Sequence, residues 1–281
     1  MPRPVNSSPS VDVIIVAFNS GDWLARAVNS ALAANAVDKV IIVDNASTDH
    51  SIHSLPINAR ILVLRNEVNL GFATAVNRGG GAATAPNLLI LNPDCLLGPE
   101  DVSALLSTRA LQTDVGIISA QLLNSDGSAQ LQSLRRDPTP KRAIAESLGW
   151  RAAGIHMRAP TMPTVVEVEA CSGALMLLEK SVFDSLNGFD EDYFLHCEDL
   201  DLCRRARQLK LRVLVDTRVR VVHDKGTSSS AMPRLVAQAK YRGMLRYFEK
   251  FDAAQTSWPL RSVVYLGAWL RYRLALLRSS F

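Results

Sequence analysis

The sequence predicts an α/β fold on a mostly parallel sheet with helices on both faces. Three observations predict it. Apolar runs of strand length, "VDVIIVAF" (11–18), "KVIIVD" (39–44), "RILVL" (60–64) and "NLLILN" (87–92), are nearly continuous, as strands covered on both faces must be. Helical periodicity fills the intervals between them, so strand and helix alternate. The runs also finish in polar residues, at the carboxyl edge where such sheets bind ligands.

Taken in order, 11–18 is rich in β-branched residues and reads as the first strand. "GDWLARAVNSALAANA" follows, with Leu24, Ala27, Val28, Ala31 and Leu32 on one helical face. The strands 39–44 and 60–64 come next, then a Gly/Ala/Asn-rich helix over about 71–83. The strand 87–92 stops at Pro93, which cannot donate to a ladder. "VGIIS" (115–119) reads as a strand and "NSDGS" (124–128) as a turn. The Arg-, Pro- and Ala-rich stretch 133–163 has no period and is expected to be a mobile loop or insertion. "SGALMLLEKSVFDSLNGF" (172–189) gives a strand, a short helix and a stop at Gly188. After the acidic "DEDYFLHCEDLD" (190–201), "LCRRARQLK" is helical and "RVLVD" (212–216) and "VRVVH" (219–223) are strands. No linker separates the halves, 11–120 and 121–228, which form one unit after a disordered lead-in at 1–10.

The 281 residues, 48% apolar, suffice for a large core and show no repeat. Cys95, Cys171, Cys197 and Cys203 form no CxxC pair and read as reduced thiols of a cytoplasmic protein. No apolar signal-peptide core follows the N-terminus. The net charge of +4 is uneven. Residues 232–281 hold nine Lys or Arg against Glu249 and Asp252, a balance of +7, leaving 22 basic and 25 acidic residues elsewhere, a balance of −3. The tail is therefore expected to meet an anionic surface, and no nucleic-acid partner is expected of the body.

Each polar motif has a structural reading beside the functional one. Asp44, in "VIIVDNASTD", is a turn or cap residue or a carboxylate for a pyrimidine base. The glycines of "NLGFATAVNRGGG" (69–81) end a helical stretch, follow no strand, and make no dinucleotide fingerprint. Asn69 and Asn77 are polar on a helix that must pack. Asp94 after Asn92 is either a turn initiator or a carboxylate for a divalent cation. Glu198, Asp199 and Asp201 precede a helix and suit its positive end, but three carboxylates exceed one cap's need and suggest a general base. His223 gains a role only if Asp94 holds a metal nearby.

In this order, "VIIVAFNS", "VIIVDNASTD", "NLGFATAVNRG", "LLILNPD", "SGALMLLEKSVFDSLNGFDEDYF", "EDLDLCRRARQLK" and "VRVVHDKGTS" resemble the family 2 glycosyltransferases, across about 11–228. Within that family the sequence looks like the bacterial rhamnosyltransferase-like branch that builds cell-surface polysaccharide. The resemblance implies a GT-A fold with a Rossmann-like sheet and inverting transfer from a nucleotide-sugar donor, dTDP-rhamnose by branch, to a saccharide or polyprenyl-linked acceptor. It places the donor against Phe18, Asn19, Asp44, Asn45, Asn69, Asn77, Asn92 and Asp94. Asp94 and His223 would hold Mg or Mn, Asp199 would be the base, and Glu198 and Asp201 would lie on the acceptor side. Asn92 stands where many members have an Asp, which lowers the charge available to a metal.

Two other classes compete. A sugar nucleotidyltransferase would carry a Gly-rich basic loop after the first strand, where this chain reads "AFNSGDW". A non-catalytic glycan-binding or scaffold protein would have no need of Asp94, Asp199 and His223. For the tail 229–281, Arg261, Arg271 and Arg273 interrupt an apolar stretch at 258–277, so spanning a bilayer is disfavoured. A basic amphipathic helix at the inner face of the cell membrane is expected, with packing on the body or on a second subunit of a homodimer as the alternative.

Overall fold

A computed structural model describes residues 10–150, 153–224 and 232–278, and all but the last residue of the lead-in expected at 1–10 lies outside them. Its first strand, β1 (Val11–Ala17), is buried along its whole length because parallel neighbours flank it on both sides. These are β2 (Val37–Asp44) and β4 (Asn87–Leu91); β3 (Ile61–Arg65) extends the parallel set beyond β2. The connecting helices α1 (Gly21–Ala33) and α2 (Phe72–Ala82) follow the predicted ranges closely.

The second half turns the sheet mixed. After β5 (Cys95–Leu96) and α3 (Asp101–Ala110) come β6 (Val115–Leu123), α4 (Pro140–Ser147) and β7 (Val165–Glu167). Then β8 (Leu175–Glu179), α5 (Lys180–Ser185), α6 (Glu198–Gln208) and β9 (Arg212–His223) complete the body. The order is β3-β2-β1-β4-β8-β6-β9-β5, with β7 on β9. β8 runs antiparallel between β4 and β6 and joins the halves into one sheet. Alternate strand residues feed two cores. Ile14, Ile41, Ile90 and Met176 meet α2, α5 and α6 on one face, while Ile15, Ile42, Leu91 and Leu177 meet α1 and α3 on the other.

Three expectations need correction. The 133–163 stretch contains α4, for which Thr139 is the N-cap and Pro140 the first helical residue, a start signal that the short apolar content obscured. The two strands expected at 212–216 and 219–223 are one, β9, because β6 stays paired to it across a register shift at Ala120/Gln121. The carboxylates 198–201 do not precede α6 but form its first turn.

Asp201 is also reassigned. Its side chain is fully buried and paired with Arg205 one turn on and with Lys250 at 2.6 Å. Arg205 in turn donates to the carbonyls of Leu186 and Gly188. The expected acceptor-side role therefore gives way to a brace between α6 and α7 (Pro233–Phe251).

The tail forms a hairpin of α7 and α8 (Trp258–Arg278), with Tyr241 stacked on Tyr272 at 4.8 Å and Phe248 edge-on to Tyr265 at 5.8 Å. α8 is not simply amphipathic. Leu260, Val264, Ala268 and Leu276 are partly covered, while Val263, Leu266, Leu270, Leu274 and Leu277 are exposed on the opposite side. Among the described residues no helix is long and apolar enough to cross a membrane.

Removing the Asp201 carboxylate should leave Arg205 and Lys250 without their shared partner. Asp201→Ala is expected to lose about 3 kcal/mol, at the low end for a broken buried pair because Lys250 is one-third exposed and can rehydrate. Urea denaturation monitored by circular dichroism measures this, and an unchanged midpoint would refute the brace.

Candidate active site

Because β1, β2 and β4 are parallel neighbours, their carboxyl ends share one edge. Phe18-Asn19, Asp44-Asn45 and Asn92-Pro93-Asp94 meet there, as the sequence leads one to expect. The chain leaves β1 through Asn19 in the left-handed region (φ 47°). The Asn19 side-chain Oδ1 accepts from the amides of Thr48 and Asp49, at 2.8 and 3.3 Å, so the loops after β1 and β2 are stitched together. Asp49, which sequence reasoning passed over, returns the tie by accepting from the Gly21 amide at 2.9 Å. Phe18 is half-buried at the rim.

Asp44 is buried, and its Oδ1 accepts from the Ser47 amide at 2.9 Å, so it does close the turn that was its structural reading. Oδ2 has no hydrogen bond among the described residues. Asn45, 2% exposed, is a hub: its Nδ2 donates to Asn69 Oδ1 and the Gly71 carbonyl, and its Oδ1 accepts from Asn66 Nδ2 and the Leu70 amide. Its side chain and that of Asn69 therefore hold the 66–71 loop. Gly71 (φ 86°) starts α2 there because a Cβ would lie 2.5 Å from the Phe194 carbonyl oxygen. Asn77 is withdrawn from the donor-binding set. Its amide bonds both the N–H and C=O of Phe189 and reaches Glu191, fastening α2 to the 188–191 turn.

At the end of β4, the pairing of β5 with β9 sets Cys95 opposite His223 and brings Asp94 beside it. Asp94 Oδ1 lies 3.2 Å from His223 Nε2, yet it is buried with no hydrogen-bond partner. The reason lies behind the ring. Gln130 donates its Nε2 to the carbonyls of Leu123 and His223, which turns its Oε1 toward His223 Nδ1 at 3.0 Å. Nδ1 then carries a proton, and in the tautomer that metal ligation requires Nε2 presents its lone pair on the side of the carboxylate oxygen. Two electron-rich atoms facing one another in a buried setting fit a divalent cation between them. Asp94, Cys95 and His223 lie within 4.8 Å of one another by their ligand atoms. Cys95 does not suit the role: burial pushes its thiol up, and it lies in the core donating to the Ala174 carbonyl. Asn92 Nδ2 lies 3.4 Å from His223 Nε2.

Asp199 sits in the first turn of α6. Its Oδ2 accepts from Arg135 at 2.5 Å and from the Gly173 amide at 2.9 Å, and its Oδ1 from the Leu200 amide. Burial would raise this carboxyl, but the Arg135 guanidinium and the two amides hold it below the usual range. Glu198 next to it has the opposite environment. Burial first, and the Asp199 charge second, push it up to about 8, and its Oε2 has no partner. The two residues before it, His196 and Cys197, both lie in the left-handed region (φ 71° and 73°), a strained entry to the helix. Cys171–Ala174 joins the two halves of the site: Arg135 also donates to the Cys171 carbonyl, Gly173 meets Asp199, and Ala174 accepts from the Asn92 amide. A Cβ on Gly173 would come within 3.1 Å of Asp199 Cβ, so the close approach depends on glycine. Arg135 and Gln130 carried no sequence signal, since their partners are 64 and 93 residues away.

Comparison with known proteins follows the same lines. The family model described as glycosyl transferase family 2 matches residues 12–174. The N-acetylglucosaminyl-diphospho-decaprenol L-rhamnosyltransferase of Mycobacterium tuberculosis (strain ATCC 25618 / H37Rv) is 27% identical over 95% of this chain and 94% of its own. Rhamnosyltransferase WbbL of Escherichia coli (strain K12) is 27% identical over 72% of this chain and 79% of its own. The mannosyltransferase PcManGT from Pyrobaculum calidifontis, solved with GDP-Man and Mn2+, shares the fold over 99% of this chain and 79% of that one. Its TM-score is 0.59 at 16% identity.

The Asn45 hub is testable apart from any activity. Asn45→Ala removes four hydrogen bonds and strands the Asn66 amide, at a cost of about 2–3 kcal/mol. The melting temperature should fall and hydrogen exchange at Leu70 and Gly71 should quicken. Unchanged protection in this loop would mean the hub is dispensable.

Proposed function

The chain belongs to glycosyl transferase family 2 and has the GT-A fold, and from that premise we propose an inverting sugar transfer from a nucleotide-sugar donor to a saccharide carried on a polyprenyl lipid. The observation that carries the reading is the buried, unpartnered Asp94 Oδ1 facing His223 Nε2 at the edge of the parallel strands. A group transfer from a nucleoside diphosphate needs a place for that diphosphate's charge, and this pair fits the cation that would neutralise it.

The division of labour follows from position. Phe18, Asn19 and the open oxygen of Asp44 hold the base and ribose at the ends of β1 and β2. Asn45 and Asn69 act through the loop they shape. Asp94 and His223 would hold Mg or Mn, of which Mn suits the imidazole ligand better. When bound, the cation stabilises the departing diphosphate. Asn92 beside them contributes no charge, so the site relies on one carboxylate.

Asp199 takes the acceptor proton. Its low basicity is no obstacle, because the attacking hydroxyl becomes strongly acidic as its bond to the anomeric carbon forms. Being ionised already, Asp199 is ready throughout the neutral range, and Arg135 fixes its direction. Glu198, pushed up to about 8, is protonated at neutral pH and donates a hydrogen bond to a sugar hydroxyl. The rhamnosyltransferase relatives favour rhamnose as the sugar moved, with dTDP-rhamnose the donor that the family resemblance implies, and the mycobacterial relative's name favours a polyprenyl diphosphate-linked acceptor. The enzyme would then work as a peripheral protein at the cytoplasmic face of the membrane.

Two variants test the roles with one assay, the release of nucleoside diphosphate from dTDP-rhamnose in the presence of a polyprenyl-linked acceptor. Asp94→Ala should lose about a hundredfold or more in turnover, and chelation should do the same to the wild type. Normal turnover with saturating donor would remove Asp94 from the site, and release of pyrophosphate would point to a nucleotidyltransferase.

Asp199→Asn keeps size and hydrogen bonding but not basicity. Donor affinity should persist while turnover drops by about 10²–10⁴-fold. Retained turnover in this variant, with loss in Glu198→Gln, would move the base one residue back.

A further inference from the structure

The exposed stripe on α8 is the largest feature the catalytic reading leaves unused. Val263, Leu266, Leu270, Leu274 and Leu277 recur at three- and four-residue intervals and line the side of α8 turned away from α7. All five are at least 47% exposed, so water covers a continuous apolar strip about four turns long.

The surroundings of the strip decide what covers it. Arg271 and Arg278 flank it on one side and have no partner among the described residues; Arg273 lies on the other, its guanidinium 5.8 Å from the Trp269 ring. α8 contains no acidic residue. A second copy of this helix laid on the first would bring arginines together with no carboxylate on either strip to pair them. An anionic bilayer offers both missing partners, acyl chains for the leucines and phosphates for the guanidiniums. An open groove of about 400 Å³, lined by Pro233, Leu274, Ala275, Arg271 and Arg278, sets two cations beside apolar wall, as a lipid headgroup requires.

We propose that α8 lies in the headgroup region of an anionic bilayer with this stripe inserted, and that the α7–α8 hairpin thereby turns the acceptor side of the active site toward the membrane. The second part rests on the lipid-linked acceptor proposed above. α8 packs on α7, and α7 holds the segment leading into Glu198 and Asp199. Arg246 and Lys250 bind Asp190 at 2.8 and 2.6 Å, and Gly243 approaches the His196 carbonyl so closely that a Cβ would lie 2.6 Å from it. One rigid path thus runs from bilayer to base.

The test uses the full chain with vesicles of phosphatidylglycerol or of phosphatidylcholine, at low and high salt. Wild type should pellet with phosphatidylglycerol at low salt, with a blue shift in tryptophan emission and quenching by brominated lipid that Trp269→Phe diminishes. The triple variant Leu266→Ser, Leu270→Ser, Leu274→Ser should bind about a hundredfold more weakly or worse, with unchanged circular dichroism. Arg271→Gln with Arg278→Gln should lose the salt-sensitive part of binding. No pelleting of wild type, or equal pelleting of the triple variant, overturns the proposal. So does a wild-type dimer in lipid-free sedimentation that the triple variant abolishes, since the stripe would then be a protein interface. Should the triple variant misfold, brominated-lipid quenching in wild type decides alone. Nucleoside diphosphate release is measured separately, so loss of membrane binding and loss of the transferase reading are distinct results.

Discussion

The buried ion pair between Arg135 and Asp199 is the contact on which the site depends. It joins residues 64 positions apart, on the segment after β6 and in the first turn of α6, and both side chains are largely removed from water. A guanidinium so placed costs several kcal/mol to desolvate unless a carboxylate and carbonyls meet it, as Asp199 and the Cys171 carbonyl do. Once the pair forms, Gly173 is drawn under Asp199 and Ala174 stays bonded to Asn92. The loop after β4, which carries Asp94, is thereby fixed relative to the carboxylate pair. A side chain in the irregular 133–163 stretch sets the geometry of two regular halves.

That arrangement also explains how two adjacent acidic residues come to differ. Glu198 and Asp199 share the start of α6, yet one is held ionised by Arg135 and the other is raised by burial and by its neighbour's charge. Such divergence leaves one carboxyl ionised and raises the other although both carry the same functional group. The same economy operates at Asp94 and His223. There Gln130, held by two carbonyls, sets the imidazole tautomer, and so decides which atom faces the carboxylate.

The sequence made the sheet legible because continuous apolar runs and helical spacing are local signals, and strand ends follow from them. Asn19, Asp44, Asn92 and Asp94 were placed at the shared edge by that logic alone. Side-chain partners were another matter. Asn77 looked anomalous on a packing helix, but its partners are 112 and 114 residues away, and nothing local tells a hub from a ligand contact. Asp201 was legible and overlooked: Arg205, four residues on, is the spacing of a helical ion pair, and that pair with Lys250 takes up the Asp201 carboxylate. Arg135 and Gln130 lay in segments without periodicity, where composition says little about direction.

The tail shows the same limit from the other side. A helix with one apolar face announces its partner by a strong periodic signal, but α8 is apolar on two faces and its signal nearly cancels. Such a pattern has two physical solutions, burial on all sides or two different apolar neighbours. Full burial is excluded, since no residue of α8 is buried. α7 supplies one neighbour through Tyr241 and Phe248. The excess of arginine over acid on the open side suits a second neighbour that is both apolar and anionic, as the lipid leaflet proposed above is.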